Sequence, residues 1–406
     1  MPARTPLFKR FPPYNGVMAE IHCRHFNGYK PCARSGVCER GACASYSSVG
    51  ARVLIVHLEA LGAVLRSTAL LAAIHRKYPG AMVTWVTKAP GDRLLENVPG
   101  IDRVLTLSAD DLLKLRALRF DVALVVDKSL AACGVMESVR AEETLGFRAN
   151  PVNGAIVPAT PAAVELWQMG LDNHRKFFVN EKTEQQLVHE ALNLGAFQRD
   201  EYRVELSHSE LSLAAARRAV WSPDGGPVIG LNTGCAATLP AKKLSVRNHR
   251  ALISRLLRDS ALGGCSIVLL GGPEDTERND EIARGLPVVL SPTTKGLRDG
   301  FASLAACDLV VSGDSLGMHM AIALKRWVVA WFGPTCAQEI DLYDRGVKVR
   351  SHAPCSPCWK RACGQKVMCY DQVDFDLIVD GLKQGLTWLT SSSKPRSPET
   401  SFSPSP

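Results

Sequence analysis

No stretch of the 406 residues approaches the eighteen or so consecutive apolar positions that a bilayer-crossing helix needs. The longest apolar runs are six residues, and one of them, Trp327 to Phe332, suits a buried strand. The first twenty residues contain no apolar segment of the kind a secretory signal requires, so a cytoplasmic protein is expected, touching the inner face of the plasma membrane peripherally at most. Aromatic residues make up only 6% of the chain, and nucleic-acid binding through the basic, cysteine-rich amino-terminal stretch ranks last among the functions considered. The 13 cysteines are an odd number, and a cytoplasmic setting keeps thiols reduced, so a disulfide framework is not expected.

What is present fits an ordinary globular chain long enough for two cores, with 46% apolar and 22% charged residues. The formal charge of +8 is uneven. Residues 1 to 50 carry seven Lys or Arg against Glu20 and Glu39, and residues 345 to 366 carry six against none. Such patches attract phosphate-bearing or otherwise anionic partners. Residues 1 to 49 are rich in Pro, Gly, Arg and Cys without apolar periodicity and read as a basic, cysteine-rich arm. From Ala51 the texture changes. Arg52 to Leu58 predicts a buried strand, Leu65 to Tyr78 a helix and Met82 to Thr87 a second strand, which is a βαβ unit and hence a parallel sheet. A Pro/Gly-dense break at Trp221 to Pro227 reads as a linker, after which strand and helix alternate again through Phe332. The expected fold class is therefore α/β, with two doubly wound Rossmann-like domains over residues 50 to 222 and 223 to 390 facing a central cleft. The Ser/Pro-rich tail from 391 to 406 is expected to be disordered.

The strand Asp308 to Ser312 runs straight into Gly313-Asp314-Ser315 at the start of a helix. Asp or Ser there would cap the helix, leaving backbone N–H groups free for an anion, with His319 one turn in. Gly333-Pro334-Thr335 closes the following strand. Over most of residues 51 to 370 the chain resembles glycosyltransferase family 9, the ADP-heptose:lipopolysaccharide heptosyltransferases. Val53 to Ala69, Pro240-Ala241-Lys242-Lys243 and Leu270 to Asp275 strengthen the likeness by order and spacing. The resemblance implies a GT-B fold, with the acceptor bound mainly by the first domain and a nucleotide-diphosphate-sugar of the ADP-heptose type by the second. It implies a donor set of Thr233, Lys242, Asp275, Asp314, Ser315, Leu316, Gly317 and His319. Asp314, Ser315 and His319 fall at the diphosphate, Lys242 near the donor phosphates and Asp275 near the ribose. Lys242 would also act in catalysis, because a fixed cation beside a helix N-terminus stabilises a departing diphosphate without a divalent metal or other cofactor. The implied reaction is an inverting transfer of a sugar, a heptose by family analogy, to a lipopolysaccharide-core or other anionic surface glycan.

Two departures stand out. Leu316 occupies the place of the family's glycine, with Gly317 one residue later, and Ala63 stands where the family carries the Asp taken as general base. An alanine accepts no proton, so Glu59 at the mouth of the same loop is the substitute base, with Asp127 at the end of its strand as the other candidate. The same gap leaves open a catalytically silent nucleotide-sugar-binding or metal-bearing scaffold. Two cysteine tetrads, Cys23, Cys32, Cys38 and Cys43 in the arm and Cys355, Cys358, Cys363 and Cys369 near the end, offer four thiolates each. Such a set suits structural zinc or an iron–sulfur cluster, and the spacing does not choose between them.

Overall fold

The computed structural model describes residues 21–26, 28, 29, 32, 34, 38 and 43–391. The tail expected to be disordered, from 392 onward, lies outside them, as does most of the arm. Among the described residues twelve strands form two six-stranded sheets. The first holds β1 (Arg52–Val56), β2 (Met82–Val86), β3 (Arg103–Leu105), β4 (Arg119–Val125), β5 (Arg140–Ala149) and β6 (Ile156–Pro158) in the order β3-β2-β1-β4-β5-β6. Only the β5–β6 pair is antiparallel. The second holds β7 (Val228–Asn232), β8 (Ser266–Leu270), β9 (Val289–Leu290), β10 (Leu309–Gly313), β11 (Trp327–Phe332) and β12 (Gly346–Arg350), all parallel, in the order β12-β11-β10-β7-β8-β9. Each order reverses once, between β1 and β4 and between β7 and β10. Those reversals are the switch points at which doubly wound sheets bind ligands.

Continuous apolar runs make the central strands, because helices cover both faces of a parallel sheet. Every residue of β10 and β11 is buried. Ile55, Trp85 and Phe147 anchor the first core. The second sheet has a core on each face, one around Phe301, Met318 and Phe332 and one around Ile253, Trp331 and Ile378. The first of these also takes in Leu65, Ala69 and Leu94 from the other sheet's elements, so the two halves share apolar packing as well as a cleft.

The expected helix over 65 to 78 begins earlier and is interrupted. It runs as helix Leu61–Arg66, a 3-10 turn Ser67–Ala69 and helix Leu70–Lys77. Ala60, in the left-handed region at φ 57°, turns the chain sharply enough for helix to start at the next residue. β5 has no apolar run to announce it; Arg140, Glu142, Glu143 and Arg148 point to solvent while Leu145, Gly146 and Phe147 are buried. Helix His208–Trp221, just before the Pro/Gly-dense segment, carries a capping box between Ser207 and Glu210. It packs with the second sheet's elements through Arg217–Asp299 (2.7 Å), Arg218–Asp308 (2.6 Å) and Glu210–Arg298 (2.6 Å).

The described part of the arm is pinned far from the cleft. Arg24 donates to Ala81 O at 2.7 Å and pairs with Asp102 at 2.9 Å, immediately before β2 and β3 begin, whereas the switch points lie at the strands' carboxyl ends. Two substitutions measure these contributions. Ser207→Ala removes the cap and should cost about 1 kcal/mol. Phe301→Ala, at a fully buried position, should cost about 3–5 kcal/mol in urea unfolding.

Candidate functional site

Both switch points open into the same cleft. After β1 the chain passes through His57, Leu58 and Glu59 into the left-handed Ala60, and after β4 it passes through Val126, Asp127 and Lys128. These two turns, with Ala63, Arg66, Ser67, Leu166, Glu184 and Val188, line a cavity of about 190 Å³. Asp127 sits at its floor. Its carboxylate accepts a hydrogen bond from the Leu58 backbone N–H, and His57 Nε2 lies 3.5 Å away. Burial pushes the Asp127 carboxyl up to about 6, against the lowering effect of the Leu58 and Glu59 N–H groups. His57 is buried and neutral, held down at about 3 by burial and by Arg66, and its Nδ1 has no partner. Glu59, expected as the base, stands at the lip with its side chain 56% exposed and paired to Lys88. Asp127 is the enclosed carboxylate of the two, with a side chain only 12% exposed.

On the other side of the cleft, Asp314 follows β10 and lies 3.4 Å from Lys242 and 3.9 Å from His319. Burial alone would raise its pKa, but Lys242 and the more distant Arg66 keep it below the usual carboxylate range. His319 is neutral, held at about 3 by burial and by Arg66. Ser315 stands at the N-cap position as expected but does not cap. Its hydroxyl instead meets Asn232 Nδ2 at 2.9 Å and Ser312 Oγ at 3.1 Å, so the first backbone N–H groups of helix Leu316–Ala323 keep no side-chain partner. Gly317 explains the shifted glycine: a Cβ there would meet the Asn232 carboxamide at 2.6 Å. Leu316 opens the helix.

Asp275 is 1% exposed and accepts from the Gly272 N–H at 3.0 Å, while its Oδ1 lacks a hydrogen-bond partner and lies 3.8 Å from Lys243. A Cβ on Gly234 would fall 1.9 Å from this carboxylate, so the turn after β7 can close on it only as glycine. Thr233 departs from expectation. It is fully buried, and its hydroxyl is taken up by Leu270 O (3.0 Å) and Asn279 Oδ1 (2.5 Å), which makes it an internal strut rather than a donor contact.

Several residues that sequence patterns did not single out join the two sides. Arg66, with a side chain 9% exposed, pairs with Glu184 at 2.6 Å. Burial would raise the Glu184 carboxyl, but Arg66, then Lys128 and Lys176, hold it at about 2. Glu339, after the Gly-Pro-Thr turn, lies 3.5 Å from Lys176, and burial and the field of Glu184 push it up to about 7. Gly62 brings the first-domain loop against the donor side, since a Cβ there would stand 2.4 Å from the His319 ring. Arg66 shows its signal only in hindsight, as a cation following apolar residues in a first helical turn.

The cysteine tetrads are not assembled as metal centres. Among the described residues no group of three or more His, Cys, Asp or Glu side chains is disposed to hold an ion. Cys355 and Cys363 are exposed and Cys369 is buried, and Cys23 is buried while Cys32, Cys38 and Cys43 are half-buried. The carboxyl-terminal four are nonetheless neighbours: the Cys369 thiol is pushed up to about 11 by burial and then by Cys358, Cys363 and Cys355.

Proteins of known structure share the two-sheet fold. The profile of glycosyltransferase family 9 (heptosyltransferase) matches residues 113–368. Lipopolysaccharide heptosyltransferase 2 of Escherichia coli K12 is 23% identical over 304 residues, covering 70% of this chain and 83% of that protein. A family 9 glycosyl transferase from Veillonella parvula superposes with a TM-score of 0.64 at 16% identity, over 83% of this chain and 97% of that one. The ADP-heptose lipopolysaccharide heptosyltransferase II of E. coli gives a TM-score of 0.60 at 19% identity, over 84% and 99%.

Replacing Arg66 by Met should leave Glu184 without its main cation and cost about 2–4 kcal/mol at pH 7, the lower end reflecting the partial exposure of Glu184. The sign of its pH dependence follows from Glu184, whose folded-state value of about 2 lies below the ordinary 4.5. The stabilisation is present above pH 4.5 and is lost as pH falls toward 2. Urea titrations of both proteins should therefore converge in acid; a gap that widens there contradicts the assignment.

Proposed function

The chain belongs to glycosyltransferase family 9, and from that premise we propose that it transfers a heptose from ADP-heptose to a lipopolysaccharide-core or related surface glycan, with inversion and without a metal in the transfer step. The observation that carries this reading is the pair of facing switch points, one presenting a buried carboxylate in a cavity and the other a lysine and an uncapped helix N-terminus. The curated E. coli relative is named a lipopolysaccharide heptosyltransferase and the matched E. coli structure an ADP-heptose enzyme, which motivates the choice of donor and acceptor.

In this proposal the donor diphosphate lies against the N–H groups at the start of helix Leu316–Ala323, beside Lys242 and His319. Negative charge gathers on the departing ADP oxygen as the glycosidic bond breaks. Lys242 and the helix terminus are already oriented toward that charge, so little reorganisation is needed. Asp275, with an unpaired buried oxygen beside Lys243, is suited to accept from a ribose hydroxyl. Asp127 takes the proton of the acceptor hydroxyl as that oxygen attacks the anomeric carbon from the opposite face. A carboxyl held near 6 is a stronger base than an ordinary aspartate yet still ionised at neutral pH. Ala63 lines the same cavity, so the proton-accepting role passes to a neighbouring wall. No helix among the described residues is long and apolar enough to cross a membrane, and we place the work at the cytoplasmic membrane face, where such acceptors are built.

Asp127→Asn should lower kcat by roughly 10²–10⁴-fold with ADP binding unchanged, while Glu59→Gln stays near wild type. The wild-type rate should rise with pH through about 6, the pH at which Asp127 loses its proton, and that limb should vanish in Asp127→Asn but persist in Glu339→Gln. Turnover retained by Asp127→Asn rules it out as base. Tight ADP-heptose binding without turnover by the wild type favours the silent scaffold.

The four carboxyl-terminal thiols do not converge on one point in this structure, but they are the donor set a metal ion takes, and a cation would offset the burial and neighbouring thiols that push the Cys369 thiol up. Cys355, Cys358, Cys363 and Cys369 would hold it as a structural zinc or iron–sulfur centre, bracing the loop against the Gly333 turn, where a Cβ would meet Cys369 Sγ at 2.8 Å. Elemental analysis of anaerobically purified protein should find close to one equivalent, lost in Cys363→Ser; a folded, metal-free wild type removes the proposal.

A further inference from the structure

We infer that Tyr202 is a positioning residue that holds the His319 imidazole with Nδ1 as hydrogen-bond acceptor and Nε2–H turned to the donor diphosphate, so that the segment joining the two sheets helps to set the donor site. The inference rests on the donor site proposed above. Tyr202 Oη lies 3.2 Å from His319 Nδ1, and the two rings stack with centroids 5.9 Å apart at 24°. Both side chains are about 4% exposed, so water does not compete for the bond. Burial raises the phenol's pKa well above its ordinary value, which leaves Tyr202 a neutral O–H that can donate. A nitrogen that accepts this bond has a free lone pair, which places the single proton of a neutral imidazole on Nε2. Nε2 is the nitrogen on the Asp314 side, 3.9 Å from its Oδ1. Gly62 meets the ring at its Cδ2 and Nε2 edge, so the imidazole is held by the first-domain loop, the connecting segment and the donor element together.

Tyr202 is itself fixed by its neighbours in the chain. Asp200 pairs with Arg76 of the first half at 2.6 Å and the Arg203 N–H donates to Thr68 Oγ1 at 2.8 Å. Arg199 pairs with Asp341 and Glu201 with Arg345 of the second half, each at 2.7 Å. The Tyr343 ring meets Tyr202 edge-on at 87°, and its hydroxyl donates to Asp200 O at 2.8 Å. These anchors run to both halves, so a displacement of one half relative to the other moves the phenol against the imidazole.

Nitrogen NMR of protein carrying ¹⁵N-histidine, with His319→Asn to identify the signals, tests this without any need for turnover. In wild type His319 should show an unprotonated, hydrogen-bonded Nδ1 and a protonated Nε2, with and without ADP. Tyr202→Phe keeps the ring stack and removes only the hydroxyl. Its Nδ1 signal should move toward the position of an unbonded nitrogen, and its affinity for ADP should fall roughly five- to tenfold, with the acceptor KM little changed. A protonated Nδ1 in wild type overturns the inference, as does a Tyr202→Phe protein whose Nδ1 signal and ADP affinity both equal wild type. If no heptose donor is turned over but the Nδ1 signal responds to Tyr202→Phe, the transfer reading fails and the positioning role stands.

Discussion

The arrangement of this cleft depends on one buried guanidinium. Arg66 ends the short helix after β1 and is nearly removed from water, yet its field reaches Glu184 and His57 on one side and Asp314, Glu339 and His319 on the other. A buried charge persists only when opposite charges surround it. Here those charges belong to both halves of the molecule, so the closed cleft and the ionisation of its carboxylates are mutually dependent. Arg66 also helps keep two histidines neutral, which in the proposed donor site lets His319 act as a hydrogen-bond donor of fixed geometry and not as a second cation beside Lys242.

Close approach of backbone to functional side chains is the second constraint. Gly62 against His319, Gly234 against Asp275 and Gly317 against Asn232 each leave no room for a Cβ. All three lie on turns or helix starts at the carboxyl ends of strands, where doubly wound sheets expose their ligand sites. The displaced glycine at 317 is thus accommodated by the same packing logic, with Ser315 turned to Asn232 and the helix N-terminus left for an anion.

The cysteine-rich segments divide by location. The described part of the arm is fastened by Arg24 below β2 and β3, at the end of the first sheet away from the cleft. The carboxyl-terminal run packs beside the Gly-Pro-Thr turn that leads to Glu339, and Lys176 of the first half lies over its Trp359 ring at 4.0 Å. Order in that loop bears directly on the cleft.

Apolar periodicity was enough to find β1, β2, β4, β7, β8, β10 and β11, because a strand buried on both faces must be continuously apolar. The same signal failed for β5, whose register is set by pairing with β4 and whose outer residues are charged. It also hid where helix His208–Trp221 belongs, since three ion pairs to distant residues decide its packing. The donor element from Gly313 to His319 was legible because a helix start with a short polar run is a local pattern. By itself the sequence determined the doubly wound class, the helix start from Gly313 to His319 and an alanine at position 63. Only the tertiary structure decided that Thr233 turns inward, that Asp127 is enclosed while Glu59 is exposed, and that Arg66, Glu184, Glu339 and Tyr202 meet. Those outcomes depend on burial and on fields between residues far apart in the chain, and no local spacing encodes them.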